Sequence, residues 1–597
     1  MIVSDTFKTA ATEPPPGGAH VAVMWHMHQP WYRDAQDGAF SLPWVWLHAI
    51  KDYADMIALL EAQPAMRCTV NFAPILLEQI DEYARRLTQW QQHHSEQQKT
   101  PNAIDHEAPT GDVLLDALLQ PATIPNDAHG RARLVQVCTR AFRPRMIDPW
   151  PEFCRRLDLA IHLAEHRQND LELLPQAFFH DLVARYVLAW CGVSVRKTYA
   201  LDSLLNSPVP IAANELSRLI AALRDTLATL LSRYRSAAER GQIELSMTPY
   251  AHPIVPLLLD FSVMHCARPD APEPTAPGYP HGEPRARWHF DEGLSVFEQH
   301  FGRRPDGVWL SEGALSDDAV RLADQYGFVW AASGESVWAK SRHRSGLPVE
   351  NEARRTLFTP HQLPGCQIRL LFRDDGLSDA IGFIYKDMPA EQAVSELLTH
   401  LENIARFAHD QHEPSPIVSI VLDGENAWEY YDNNGWDFLT ALYDALAKHP
   451  LLIPVTLSEA ARLTPAEPLP ELCAGSWVHG TLDTWIGEPA KNRAWDLLVD
   501  AKRAVDRITA ERVLSADDRR WIERQLAICE GSDWFWWFAE GPVAAGAHDF
   551  DALYRQQLRQ LYQRLGLPIP PNVDQPLLGD MIGHVENAGT MQRGQPG

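Results

Sequence analysis

Apolar positions along this chain follow two rhythms: short runs rich in branched residues that stop abruptly at a turn, and longer stretches in which they recur every third or fourth residue. Runs of the first kind read as strands buried on both faces, and stretches of the second as helices laid against them. Strands are expected at residues 20–25, 68–72, 241–249, 307–312, 328–332, 367–372, 417–423 and 452–455. Helices are expected among them at 42–62, where Pro43 suits the first turn, and at 288–301, 317–326, 391–409 and 436–449. Strand, helix, strand is the unit of a parallel α/β fold, and seven or eight such strands amount to an α/β barrel. The interval 73–240 is mainly helical, is broken by the polar run 91–112, and carries no chemical motif, so it reads as a helical excursion and barrel wall.

Beyond about residue 464 the strand rhythm stops and helices are expected at 492–508 and 516–528. An aromatic loop spans 476–488, and the segment 531–538 (GSDWFWWF) is too aromatic for an exposed loop, so it reads as domain packing. The expected organisation is a disordered leader over 1–18 and a barrel over 19–463 with a helical insertion around 113–240. A helical C-terminal domain over 464–570 would contribute to the cleft, followed by a loose tail over 571–597.

Composition narrows the partners. Against 53 Lys and Arg stand 78 Asp and Glu, a formal charge of -25, which argues against a nucleic-acid or anionic-membrane surface. No apolar run has signal-peptide or bilayer-spanning length, and a soluble, cytoplasmic protein is expected. The 8 cysteines are scattered with no CxxC pair, which suits neither a zinc cluster nor a disulfide scaffold.

Chemistry gathers at the strand exits. The run 417–422 ends in Asp423, Gly424 and Glu425 with Trp428 close behind, and the run from Gly307 through Trp309 ends in Glu312. A carboxylate leaving a buried strand can cap the next helix or serve a reaction at the carboxyl face of a barrel. His26 and His28 leave the first strand on the same side, followed by Gln29, and could serve a substrate, a metal or a hydrogen-bonded rim. Glu244 lies inside a strand, where it must be paired, by a structural salt bridge or by a substrate. Asp374 follows the run 367–372. Carboxylates at barrel-strand ends among many tryptophans, 20 in this chain, suit glycosidic-bond chemistry.

Five segments occur here in the order of the five sequence regions of glycoside hydrolase family 57: HMHQP at 26–30, GQIE at 241–244, WLSE at 309–312, DGEN at 423–426 and the aromatic loop 477–488. The chain resembles that family from residue 20 to roughly 540. The resemblance implies an incomplete (β/α)7 barrel with a helical C-terminal region closing the cleft, and retaining action on α-glucans. It makes Glu312 the nucleophile and Asp423 the general acid/base, with His26, His28 and Glu244 at substrate-site positions. Gln29, Trp309, Asp374 and Glu425 are further candidate substrate contacts, as are Trp428, Trp477 and Trp485.

HQP together with DGENAWE and FRDDGLSD looks more like the amylase and amylopullulanase branch than the branching enzymes, although Gly313, Ala314 and Ala427 depart from related sequences. The expected partner is an α-1,4-glucan or maltooligosaccharide, with no metal and no cofactor. Hydrolysis and glucan transfer share one glycosyl-enzyme and are not separated by these motifs. Two other classes stand beside this reading: a metal-dependent deacetylase or mannosidase using His26, His28 and a strand-end Asp, and a non-catalytic glucan-binding protein.

Overall fold

The computed structural model describes residues 13–97, 110–425, 427–538 and 546–579. Most of the expected leader, part of the polar run 91–112, Asn426 and the tail from 580 lie outside the described residues.

Among the described residues there are nine strands: β1 (Ala19–Met27), β2 (Cys68–Phe72), β3 (Ile243–Met247), β4 (Trp330–Gly334), β5 (His361–Gln362), β6 (Arg369–Arg373), β7 (Ile417–Asp423), β8 (Leu452–Val455) and β9 (Glu467–Pro468). Six of them form a parallel sheet in the order β3-β2-β1-β7-β6-β4. β8 pairs in parallel with the start of β1, and the two-residue β5 and β9 extend β6 outward. The ring closes only loosely. β6 and β7 share the single register pair Arg373↔Ser419, and β3 reaches β4 through isolated bridges, Met247↔Val308 and Gly307↔Trp330. The segment through Gly307 and Val308 thus takes a seventh position between β3 and β4, and the architecture is an incomplete (β/α)7 barrel with a helical C-terminal region.

The strand expected at 307–312 is therefore reduced to two bridges. At Gly307 the chain passes against the Trp330 indole, where a Cβ would lie 1.9 Å from the ring, and after Leu310 it turns into the left-handed Glu312. The helix expected at 42–62 is interrupted by a π-helical turn, Ala49–Tyr53, that carries the buried Lys51 and Asp52.

All nine residues of β1 are buried, and they alternate between two cores. Val21, Val23, Trp25 and Met27 pack outward into the large core shared with the helices. Ala22 and Met24 point the other way, into a smaller cluster with Trp309, Trp330, Ala332, Leu371 and Val421, which fills the barrel. Side chains two apart on a strand share a face, so the inward row rises from Met24 to His26 and from Val421 to Asp423. These two residues are direct register partners. The filled interior is the floor on which the site stands.

Between β2 and β3 run the helices Pro74–Gln97, Pro151–His166, Gln176–Trp190 and Ala213–Glu239, among shorter ones. After β9 come Pro489–Glu511, Ala516–Cys529 and Ala547–Leu565. Glu530, at the end of the second of these, reaches the barrel's helix Gly282–Phe301, where Arg285 and His289 donate to its carboxylate at 2.8 Å each. Among the described residues no helix is long and apolar enough to cross a membrane.

Candidate active site

The site is built where β1, β3 and β7 end. His26 Nδ1 faces Asn71 Oδ1 at 2.7 Å, and the Asn71 amide nitrogen donates to Ser246 Oγ at 3.0 Å, which orients the amide with its oxygen toward the ring. Asn71 Oδ1 therefore accepts a hydrogen from Nδ1, leaving Nε2 of a neutral His26 as an acceptor. His252 Nε2 lies 3.1 Å from it and supplies that hydrogen. His252 Nδ1 is left to accept from Ser532 Oγ at 2.7 Å. Burial, then the neighbouring His28, lowers His26 to about 3 against the Asn71 bond, and burial likewise takes His252 well below the ordinary histidine value. The two imidazoles form a neutral chain with fixed tautomers.

Glu312 sits in the turn Ser311–Gly313 at φ 60° and ψ 20°, a left-handed conformation that a non-glycine residue adopts at a cost of roughly 1–3 kcal/mol. Local bonds hold it there. The Trp477 backbone N–H donates to the Glu312 carbonyl at 3.0 Å, and the Trp477 indole N–H donates to Oε2 at 2.9 Å. Ser333 Oγ donates to the Gly313 carbonyl at 2.6 Å. His252 is also left-handed, at φ 59°, and its Nδ1 lies 3.9 Å from Glu312 Oε1. The strained turn thus aims a carboxylate at the histidine chain whose other end stands beside Asp423.

Burial raises the Glu312 carboxyl to about 8, helped by the negative charge of Asp423 and opposed by the Trp477 hydrogen bond. Glu425, two residues beyond Asp423, is pushed well above its ordinary value by burial and then by Asp423. Its Oε1 accepts from the His28 backbone N–H at 3.0 Å and from the Tyr53 hydroxyl at 3.2 Å, with the Gln29 amide at 3.4 Å. Glu425 and Gln29 therefore brace the loop that presents His28. The His28 ring stacks on His252 with centroids 3.7 Å apart, and its Nε2 lies 2.8 Å from Asp533.

The other residues singled out in the sequence divide by position. Trp477 is half-buried at the site, with the Arg373 guanidinium 4.9 Å over one face of its ring. Trp309 lies beneath, edge-on to Trp477 at 5.1 Å and within the barrel filling. The structure does not bring Glu244, Asp374, Trp428 or Trp485 to this cluster. Glu244 lies three residues before the end of β3, where Trp330 Nε1, Ser458 N–H and Oγ, and Thr69 Oγ1 donate to it at 2.6–3.2 Å. Its partners are thus neutral donors rather than a salt bridge. Asp374 caps the helix Asp375–Asp379 by accepting from Leu377 N–H at 2.8 Å. Trp428 packs on Trp25 and Phe438 with 1% of its surface exposed, and Trp485 is wholly buried near Trp536, so neither indole presents a face to a ligand.

His252, Ser532 and Asp533 were not anticipated. His252 follows β3 in TPYAHPI, a histidine just past a strand exit, which is the same signal that marks His26 and His28. Asp533 was hidden in an aromatic segment read as packing, where two adjacent polar residues, Ser532 and Asp533, were the available signal.

His28, His252 and Asp533 bring ligand atoms within 4.8 Å of one another, a donor set that could be considered for a metal. Its geometry does not fit one. The two rings are stacked at 15°, so their in-plane lone pairs run in parallel planes rather than converging, and both His252 nitrogens already have partners.

Comparison with known proteins agrees with this architecture. A branching enzyme from Pyrococcus horikoshii superposes with a TM-score of 0.52 at 14% identity, over 95% of this chain and 98% of its own. An α-amylase from Thermotoga maritima gives the same TM-score and identity over 93% of this chain and 96% of its own. These similarities establish the fold. The sequence model of glycosyl hydrolase family 57 matches residues 22–472, which takes in Glu312, Asp423 and the histidine chain between them. On that match, the chain belongs to glycosyl hydrolase family 57.

Proposed function

We propose that the protein cleaves α-1,4-glucans with retention of configuration, with Glu312 as nucleophile and Asp423 as general acid/base. The observation that carries this reading is the pair of carboxylates set at either end of a neutral, hydrogen-bonded histidine pair, one of them held by the Trp477 indole N–H. In the first step Asp423 gives its proton to the glycosidic oxygen while a Glu312 oxygen bonds to the anomeric carbon. In the second, Asp423 takes a proton from water, which displaces Glu312 from the same face that the leaving group vacated.

The electrostatics add a condition. With Asp423 ionised beside it, Glu312 keeps its proton up to about 8, the reverse of what the attacking step needs. The roles therefore require that proton to move to Asp423 when a glucan fills the cleft. A glycosidic oxygen set against Asp423 favours the protonated form there, and Trp477 favours the ionised form of Glu312. His26 and His252, being neutral and bonded to each other and to Asn71 and Ser532, do not compete for the proton.

Incubation with maltoheptaose and sizing of the products tests the proposal. Only shorter maltooligosaccharides identify hydrolysis, and longer ones as well identify 4-α-glucan transfer through the same intermediate. No change in chain length, under conditions where the protein is folded, would reject action on α-1,4-glucans.

A further inference from the structure

Cys266 ends the turn Phe261–Cys266 that follows the β3 exit, and Cys473 lies four residues before Trp477. The two segments run side by side, tied by Arg268 to Asp483 at 2.6 Å and by Asn492 to the Pro272 carbonyl at 3.0 Å. Where they meet, the Cys473 thiol and the Ala474 N–H lie close enough to the Cys266 sulfur to act on its charge. Arg344 Nη1 lies 2.9 Å from the same sulfur and is paired in turn with Glu471. The Cys473 backbone N–H donates to Ser341 Oγ at 2.9 Å, so the helix Glu335–Arg344 holds the Cys473 backbone at Ser341 and the Cys266 sulfur at Arg344, three residues on. Cys266 is half-buried and Cys473 is buried.

The neighbouring Cys473 thiol is the main cause that brings Cys266 to about 6, with Ala474 and Arg344 adding to it against the effect of burial. Cys68, Cys138, Cys191 and Cys529 lie in apolar surroundings that push their thiols up instead. Cys154 and Cys366 are raised as well. A thiolate beside a guanidinium with a second thiol in contact is the arrangement in which oxidation is both fast and resolved.

We infer that Cys266 is a peroxide-reactive thiolate and Cys473 its resolving thiol, so that a hydroperoxide converts the pair into a disulfide tying the Trp477 segment to the loop after β3. The Cys266 thiolate attacks the distal oxygen of the peroxide, breaking the O–O bond and releasing an alcohol, or water from hydrogen peroxide, and becomes a sulfenic acid. Cys473 then attacks the sulfenic sulfur, the S–S bond forms and water leaves. In balance, two thiols and one hydroperoxide give one disulfide, one alcohol and one water. The inference does not depend on which glycan the enzyme takes.

The test treats the purified full-length protein with one equivalent of hydrogen peroxide, blocks remaining thiols with N-ethylmaleimide, and maps non-reduced peptides by mass. A cross-linked peptide pair containing Cys266 and Cys473, abolished by dithiothreitol and appearing before any other cysteine is modified, is the expected result. In Cys473→Ser the sulfenic acid on Cys266 should instead accumulate and be trapped by dimedone, and in Cys266→Ser the Cys473 thiol should stay reduced. Earlier oxidation of another cysteine, or Cys266 passing to sulfinic acid in the wild-type protein without the cross-link, would overturn the assignment. The wild-type map decides the matter even where a variant folds poorly.

Discussion

Glu312 combines a left-handed backbone, a buried carboxyl and a carboxylate neighbour, and each of these opposes an ordinary ionised glutamate. Its carboxyl has an ordinary value of 4.5 and is raised to about 8 in the folded protein. Between those values the unfolded chain binds fewer protons than the folded one, so this group costs stability as pH rises through that window. Glu312→Gln mimics the neutral carboxyl and is spared the cost. Its melting temperature relative to wild type should therefore climb from pH 4.5 to 8. The gain should be on the order of a few kcal/mol at most, because 17% of the side chain still meets solvent. A variant less stable than wild type at pH 8 would contradict the raised value. Glu312 and Asp423 were legible in the sequence because a polar residue ending an apolar run is a local signal. The partners that hold the histidines between them were not: Ser532 beside His252 and Asp533 beside His28 come from a segment more than 100 residues beyond Asp423 in the chain, and no spacing rule links them.

At the scale of elements, the parallel strands were legible wherever branched residues run unbroken, as in β7, and the helix expected at 391–409 matches Ala390–Asp410 closely. The pattern Val308, Trp309, Leu310 is apolar and reads as a strand, whereas its close approach to Trp330 comes from a residue that local pattern cannot report. Gly307→Ala tests that account. Its Cβ would meet the indole carbons at 1.9 and 2.3 Å, and displacing the ring would also break the Trp330 bond to Glu244. The expected loss is about 3 kcal/mol or more by urea denaturation. Gly278→Ala, with nothing within 4 Å of its Cβ, should change stability by less than about 0.5 kcal/mol. Equal midpoints for the two variants would mean that the approach of Trp330 to Gly307 leaves room for a side chain.

Across the whole molecule, the site depends on the docking of the C-terminal helices: Ser532 and Asp533 are held there by the Ser532 N–H bond to the His252 carbonyl, the Pro253–Gly531 bridge and the neighbouring Glu530 anchored to the barrel. Burial acts to raise Glu530, yet the Arg285 charge and the hydrogen bond from His289 bring it down to about 2 from 4.5. A depressed carboxyl stabilises the fold above its unfolded value and loses that contribution as pH falls through the folded one. The stability difference between wild type and Glu530→Gln should therefore be full above pH 4.5 and narrow by about 3 kcal/mol toward pH 2. A difference independent of pH would place the anchoring elsewhere. The central claim, the division of labour between the two carboxylates, is tested most directly by azide rescue with an aryl α-maltooligosaccharide. Asp423→Ala should still form the glycosyl-enzyme, turn over natural glucans roughly 10²–10⁴-fold more slowly, and yield the α-glycosyl azide when azide is added. Glu312→Ala should yield the β-azide by direct attack from the vacated face, and the opposite pairing of anomers with variants would contradict the assignment.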